Sequence, residues 1–345
     1  MIGLDERARG LLERVVLGVA VCALSPLVLN VTTAAAAPDA ALTVITRGPL
    51  SLVLEPGAGS APLYALLPSP RRSLDLVMYE LVDPHAESLL VADAARGVRV
   101  RVILDERGEQ QQNEAAHAFL TSHGVAVRWA SSRFDLTHEK AFVLDGRIAV
   151  VMTLNLTDRY YASTRDVAVV DNDAVDAAAI ETTFGADWSG APLVAPTGDD
   201  LLWSPGAEQP LLALIASART TLLVENEEMA DAWITSALES AARRGVRVEV
   251  VMTESSSWAA ALSALEAAGV RVRVYAPSAT LYIHAKIVVV DPGSATQRAF
   301  VGSENFSVAS LLYNRELGIE TRQADVVAQL ARVVEQDGAG AAPWQ

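Results

Sequence analysis

The chain has 345 residues, 51% apolar and 20% charged, which supplies a sizeable core and excludes global disorder. Its formal charge of −15 sets the surface against nucleic acid unless a local basic groove intervenes. The one cysteine, Cys22, excludes a disulfide framework and a thiolate metal site.

In chain order, residues 1–37 read as a secretory signal peptide. Arg7, Arg9 and Arg14 precede an apolar run from Val15 to Val31, and small residues then lead to Ala36. Ser25, Pro26 and Asn30 interrupt the run and make it a poor membrane span. The expectation is a secreted protein, extracellular or in the cell envelope, whose mature form begins near Ala37. The rest reads as two tandem homologous α/β domains, 38–192 and 193–345. In the first, an apolar β-rich run at 74–78 precedes a helical pattern at 86–97 that Gly97 stops. An alternating β-branched strand at 98–104 follows, then a second helix and a short strand at 125–129. A linker rich in Pro, Gly and Asp occupies 191–200. The same grammar then returns at 221–224, 230–245, 246–252 and 270–275.

The return is literal in places. Pro62-Leu63 reappears as Pro210-Leu211, and Arg96-Gly97-Val98-Arg99-Val100 as Arg244-Gly245-Val246-Arg247-Val248. Both are offset by 148 residues (63 to 211, 96 to 244). Helices alternating with strands predict, in each copy, a mixed sheet flanked by helices. A duplicated domain buries equivalent faces about a pseudo-two-fold axis, so paired motifs are expected at the interface of the two copies.

Each copy ends in the same chemistry. His138, Lys140 and Asp145 form His-x-Lys-x-x-x-x-Asp, and His284, Lys286 and Asp291 repeat it. Side chains two apart on a strand share a face, so each histidine should stand beside its lysine. Thr153-Leu154-Asn155 follows the first motif and Gly302-Ser303-Glu304-Asn305 the second. Eleven residues beyond each asparagine stands an acid, Asp166 or Glu316, preceded by Arg165 or Arg315. Of the 27 cationic Lys and Arg residues, only Lys140 and Lys286 are lysines. A compact ammonium at those two places suits a single phosphoryl group better than a wide guanidinium fork. No His-x-x-x-His or carboxylate cluster at ligand spacing suggests a metal site. Asp145 and Asp291 are expected to serve structure, through ion pairs.

These paired motifs resemble the phospholipase D superfamily over nearly the whole mature chain. The second copy matches the family pattern fully. The first has Met152-Thr153 where Gly-Ser is usual, and Met152 is expected to add bulk beside the phosphate. The resemblance implies a covalent mechanism without metal or cofactor. His138 attacks phosphorus, while His284 protonates the leaving alkoxide and then deprotonates the acceptor. Lys140, Lys286, Asn155 and Asn305 would hold the non-bridging oxygens, and Thr153 and Ser303 would contact substrate. Asp166 and Glu316 would orient the imidazoles, with the pairing left open. The leading expectation is a secreted phospholipase D-type hydrolase of phospholipid headgroups, capable of transphosphatidylation. It would be a monomer with both half-sites in one chain and peripheral membrane contact. The alternatives are a phosphodiesterase of nucleic acid, disfavoured by charge, and a cardiolipin-synthase-like phosphatidyltransferase. A catalytically dead binding module is opposed by the intact pairs.

Overall fold

The computed structural model describes residues 48–345. The expected signal segment 1–37, with Cys22, lies outside the described residues. Two mixed sheets follow one another along the chain. In the first, Leu50–Glu55 is antiparallel to Thr164–Asp171, which is followed across the sheet by Ile148–Met152, Ala141–Leu144, Ser73–Met78, Arg99–Leu104 and Ala126–Trp129. The second repeats this order. It runs Leu201–Ser204, Glu316–Thr321, Arg298–Gly302, Ile287–Val290, Thr221–Glu225, Arg247–Thr253 and Arg271–Tyr275, with the short Ala342–Pro343 added at the far edge.

The strands carry the expected apolar runs because both faces of each sheet are covered. Along Ala141–Leu144, Ala141 and Val143 face one core, while Phe142 and Leu144 face another under the outer helices. Ile287 and Val289 alternate in the same way with Val288 and Val290. The inner faces of the two sheets, with helices Ala174–Ser189 and Ala324–Gly340, form a single core to which both halves contribute. The halves are therefore packed as one body.

Helix boundaries follow their caps. The first long helix spans Pro84–Ala95 because the Asp83 carboxylate accepts from the amides of His85 and Ala86, both at 3.0 Å. Its counterpart spans Ala232–Arg243, capped by Asp231 through the Ile234 amide at 2.9 Å. Gly97 and Gly245, with φ of 92° and 90°, turn the chain out of each helix. Among the described residues, no helix is long and apolar enough to cross a membrane.

Candidate active site

The two halves exchange backbone hydrogen bonds beside their motifs. Tyr282–Ile283 runs parallel to Thr164–Arg165, and Thr137 bridges in parallel to Arg315. The Arg315 carbonyl accepts from the amides of His138 and Glu139, both at 2.9 Å. The Arg165 carbonyl accepts from those of His284 and Ala285 at 3.2 and 2.8 Å. Each histidine is thereby laid against the acid-bearing strand of the other half. The arginine side chains reinforce the exchange. Arg165 reaches Asp337 on the helix of the second half (2.9 Å), and Arg315 reaches Asp187 on that of the first (3.2 Å).

The pairing that the sequence left open is crossed. His138 Nδ1 meets Glu316 Oε2 at 2.8 Å, and His284 Nδ1 meets Asp166 Oδ1 at 2.7 Å. A carboxylate only accepts, so each Nδ1 carries a proton and each Nε2 is left for the cavity that both rings line. Burial works against charge on both acids. The imidazole each one holds nevertheless keeps Asp166 and Glu316 below the usual carboxylate range. The cavity measures about 750 Å³ and also exposes Asn155 and Asn305.

The first half-site is closed by Tyr79, at the end of strand Ser73–Met78. Its ring stands edge-on to His138 with centroids 4.5 Å apart and receives the Lys140 ammonium at 4.7 Å. One ring thus touches both motif residues, which lie just before the strand Ala141–Leu144 and not on a shared strand face as expected. Lys140 also donates to the His138 carbonyl at 2.6 Å. Burial lowers the His138 pKa, with Glu316 opposing and Lys140 assisting, which favours the neutral imidazole. Burial, then the neighbouring Lys286, brings Lys140 down to about 7.

The second half-site is closed differently. Glu227 stands one repeat offset from Tyr79, at the end of the equivalent strand, and neither residue was singled out by motif. Its Oε2 accepts from Lys286 Nζ at 3.1 Å and lies 3.5 Å from His284 Nε2, while Oε1 accepts from the Tyr282 hydroxyl at 2.9 Å. Burial opposes its charge, but Lys286 and His284 hold the carboxyl far below its ordinary range. The signal for this pair lay in the repeat itself. Carrying the 148-residue offset to the strand ends aligns Tyr79 with Glu227.

Asn155 and Asn305 line the cavity, whereas Lys140 and Lys286 are buried beside their histidines behind its lining. Lys140 and Lys286 are 1% and 0% exposed, so the only lysines in the chain are the two buried at the site. Asn155 Oδ1 and Asn305 Oδ1 are buried without a partner. Thr153 and Ser303 differ from expectation. Both are fully buried, and their oxygens accept from the amides of Val167 (2.9 Å) and Leu317 (3.1 Å). The Thr153 hydroxyl donates to Asp166 at 2.5 Å. They brace the acid strands from beneath and do not reach the cavity, so substrate contact is corrected to positioning. Met152 likewise adds no bulk beside the phosphate. Strand alternation sends it to the opposite face from Thr153, into the outer core. Asp145 and Asp291 are structural, but through amides more than ion pairs. At φ of 55° and 47°, they accept from the backbones of Arg71, Arg72 and Ser73, and of Arg219, Thr220 and Thr221.

A family model described as cardiolipin synthase, PLD-like domain, matches the chain twice, over residues 63–188 and 211–337. The chain belongs to the phospholipase D superfamily. Cardiolipin synthase A of Yersinia pseudotuberculosis is 26% identical, the match covering 76% of this chain and 63% of that protein. The chain therefore spans less than two thirds of the length of the curated relatives it matches. Among solved structures, phosphatidylserine synthase of Haemophilus influenzae matches with a TM-score of 0.66 at 13% identity, over 88% of this chain and 89% of its own. Polyphosphate kinase of Porphyromonas gingivalis matches with 0.68 at 16% identity, over 84% and 47%. At such identities these two likenesses speak for the fold alone. They agree with two superfamily repeats of mixed sheet flanked by helices.

Proposed function

We propose that the protein transfers a phosphatidyl group between alcohols by two displacements at phosphorus, with water as a competing acceptor. The crossed histidine–carboxylate pairs facing one cavity carry this reading. In the first step the neutral His138 Nε2 forms a bond to phosphorus. The phosphorus–oxygen bond to the leaving alcohol breaks, and that oxygen takes the proton from His284 Nε2. In the second step an acceptor hydroxyl returns a proton to His284 as its oxygen attacks phosphorus and the phosphorus–nitrogen bond breaks. Lys140, Lys286 and the two asparagine amides stand ready for the non-bridging oxygens. Transfer is preferred over pure hydrolysis because the curated relatives are cardiolipin synthases. A polyanionic nucleic acid would meet a cavity bearing Glu80, Glu109, Glu227 and Glu228 on a chain of charge −15. The exported, monomeric setting expected from the sequence, touching a phospholipid surface, is part of the proposal.

A nitrophenyl phosphodiester tests it, since that leaving group needs little protonation. His284→Ala should accumulate an acid-labile, alkali-stable phosphoryl adduct on His138, and His138→Ala none. Mass spectrometry of peptides kept at high pH reads the outcome. An adduct on His284 in the His138→Ala protein would reverse the roles. No adduct in any variant, with wild-type turnover intact, would sink the two-step mechanism.

A further inference from the structure

The two halves of the cavity differ in one consistent way. On the first side the strand-end residues are Tyr79, uncharged, and Glu80, paired with Arg159 at 2.9 Å. On the second side the equivalent residues are Glu227 and Glu228. Glu228 faces the Asn305 amide (Nδ2 to Oε1, 3.4 Å), and burial together with the Glu227 charge pushes its carboxyl up. Lys286 and Tyr282 each direct one donor to Glu227, and the side chains that face the alcohol position are mostly acceptors. What remains is acceptor capacity. A carboxylate has about four lone-pair sites, and Asn305, a cavity-lining residue only 7% exposed, has its Oδ1 buried with no partner. Such a wall is completed by a ligand that brings donors.

The place of this wall in the reaction follows from Glu227 lying 3.5 Å from His284 Nε2. That nitrogen gives its proton to the leaving oxygen and takes one from the acceptor. An in-line displacement by His138 puts the exchanging alcohol on the His284 side of phosphorus. We propose that the Glu227–Glu228–Asn305 wall seats this alcohol, and that Glu227 selects alcohols carrying a second hydrogen-bond donor, hydroxyl or ammonium, beside the reacting hydroxyl. The inference rests on the transfer reading above and adds the class of acceptor. When phosphate oxygens draw the Lys286 ammonium, Glu227 Oε2 is released to accept from that second donor. Breaking and making bonds is unchanged: the acceptor oxygen replaces nitrogen on phosphorus, and its proton goes to His284.

The experiment uses a phosphatidyl-p-nitrophenol in detergent micelles, so that every acceptor meets the same intermediate. The purified protein is offered glycerol, 2-aminoethanol or n-propanol at equal concentration. The ratio of transfer product to phosphatidic acid is measured for each. A charge-assisted hydrogen bond predicts that the donor-bearing acceptors outcompete n-propanol by about tenfold or more. Glu227→Gln should bring that preference to within about threefold of unity, and a larger loss for 2-aminoethanol than for glycerol marks the ammonium as the better ligand. Glu228→Gln, expected to lower the preference by a smaller factor, keeps the test open should Glu227→Gln misfold. Transfer without preference in the wild type, or a preference retained in both variants, overturns the inference alone. Nitrophenol release with no transfer product overturns the transfer reading and the inference together.

Discussion

Replacing Glu316 by glutamine tests the crossed pairing at its most sensitive point. The two carboxylate oxygens have different duties. Oε2 accepts from His138, while Oε1 accepts from Ser310 Oγ at 2.6 Å and Asn314 Nδ2 at 3.0 Å. Asn314 cannot turn its amide over without loss, because its Oδ1 accepts from the Leu136 amide at 3.1 Å. A glutamine must therefore place its oxygen toward Asn314 and its NH₂ toward His138. That donor forces the proton of the imidazole onto Nε2 and removes the lone pair that attacks phosphorus. A tautomer error of this kind costs about 10⁴ in turnover in serine proteases. Here a loss of about a thousandfold in kcat is expected, about 4 kcal/mol of barrier, with the fold intact. The assay is turnover of a nitrophenyl phosphodiester beside circular dichroism. Asn314→Asp in the same chain gives the glutamine NH₂ an acceptor, lets its oxygen face His138, and should recover at least about tenfold. Asp166→Asn is milder, about ten- to a hundredfold, because His284 and Thr153 share the same oxygen, Oδ1, and the amide can keep oxygen there. Turnover of Glu316→Gln within tenfold of wild type, or a double variant no better than the single, would refute the reasoning.

Three further outcomes are expected. Lys140, brought down to about 7, loses its charge as pH rises through neutrality, so KM for an anionic diester should rise between pH 6 and 8. Lys140→Arg should flatten that rise while losing most turnover, since a guanidinium keeps charge but not shape. Burial pushes Glu139 up to about 8 and Glu55 up to about 7, both from 4.5. Their contribution to stability is full below pH 4.5 and lost as pH rises through those values. The urea midpoint should therefore fall between pH 5 and pH 8, and a flat or rising midpoint would contradict it. Intact-mass measurement of protein from the culture medium should give a chain beginning near Ala37, and a full-length mass confined to membranes would oppose export.

Much of this site was legible because its residues repeat in kind. The histidines, lysines, asparagines and acids recur as like types at like spacing, and the two lysines stand out against a background of arginine. What was not legible depends on contact across the halves. The Arg165 and Arg315 carbonyls that cross the acids over are backbone atoms, and the repeated arginine before each acid does not show that its carbonyl binds the other half. Thr153 and Ser303 carry hydroxyls of the right kind. Only the strand geometry shows that those hydroxyls point at a neighbouring strand and away from the cavity. Tyr79 and Glu227 escaped notice because they are unlike, and a search for repeats rewards likeness. The six strands that the sequence reading bounded lie within a residue or two of the observed ones. The first long helix in each half begins where an aspartate cap begins it.

The crossing has a consequence for what a half can be. Two identical chains joined by a two-fold axis would complete each other's histidines just as these halves do. Their symmetry, however, would force one residue type on both strand ends. Two tyrosines would leave neither lysine bonded to a carboxylate, and two glutamates would place a second carboxylate beside both imidazoles. In either case the two imidazoles would stand in identical surroundings until a substrate bound between them. Joining the copies in one chain removes that constraint. A tyrosine can then stand by His138 and a glutamate by His284, so the two imidazoles differ in their surroundings before any substrate arrives.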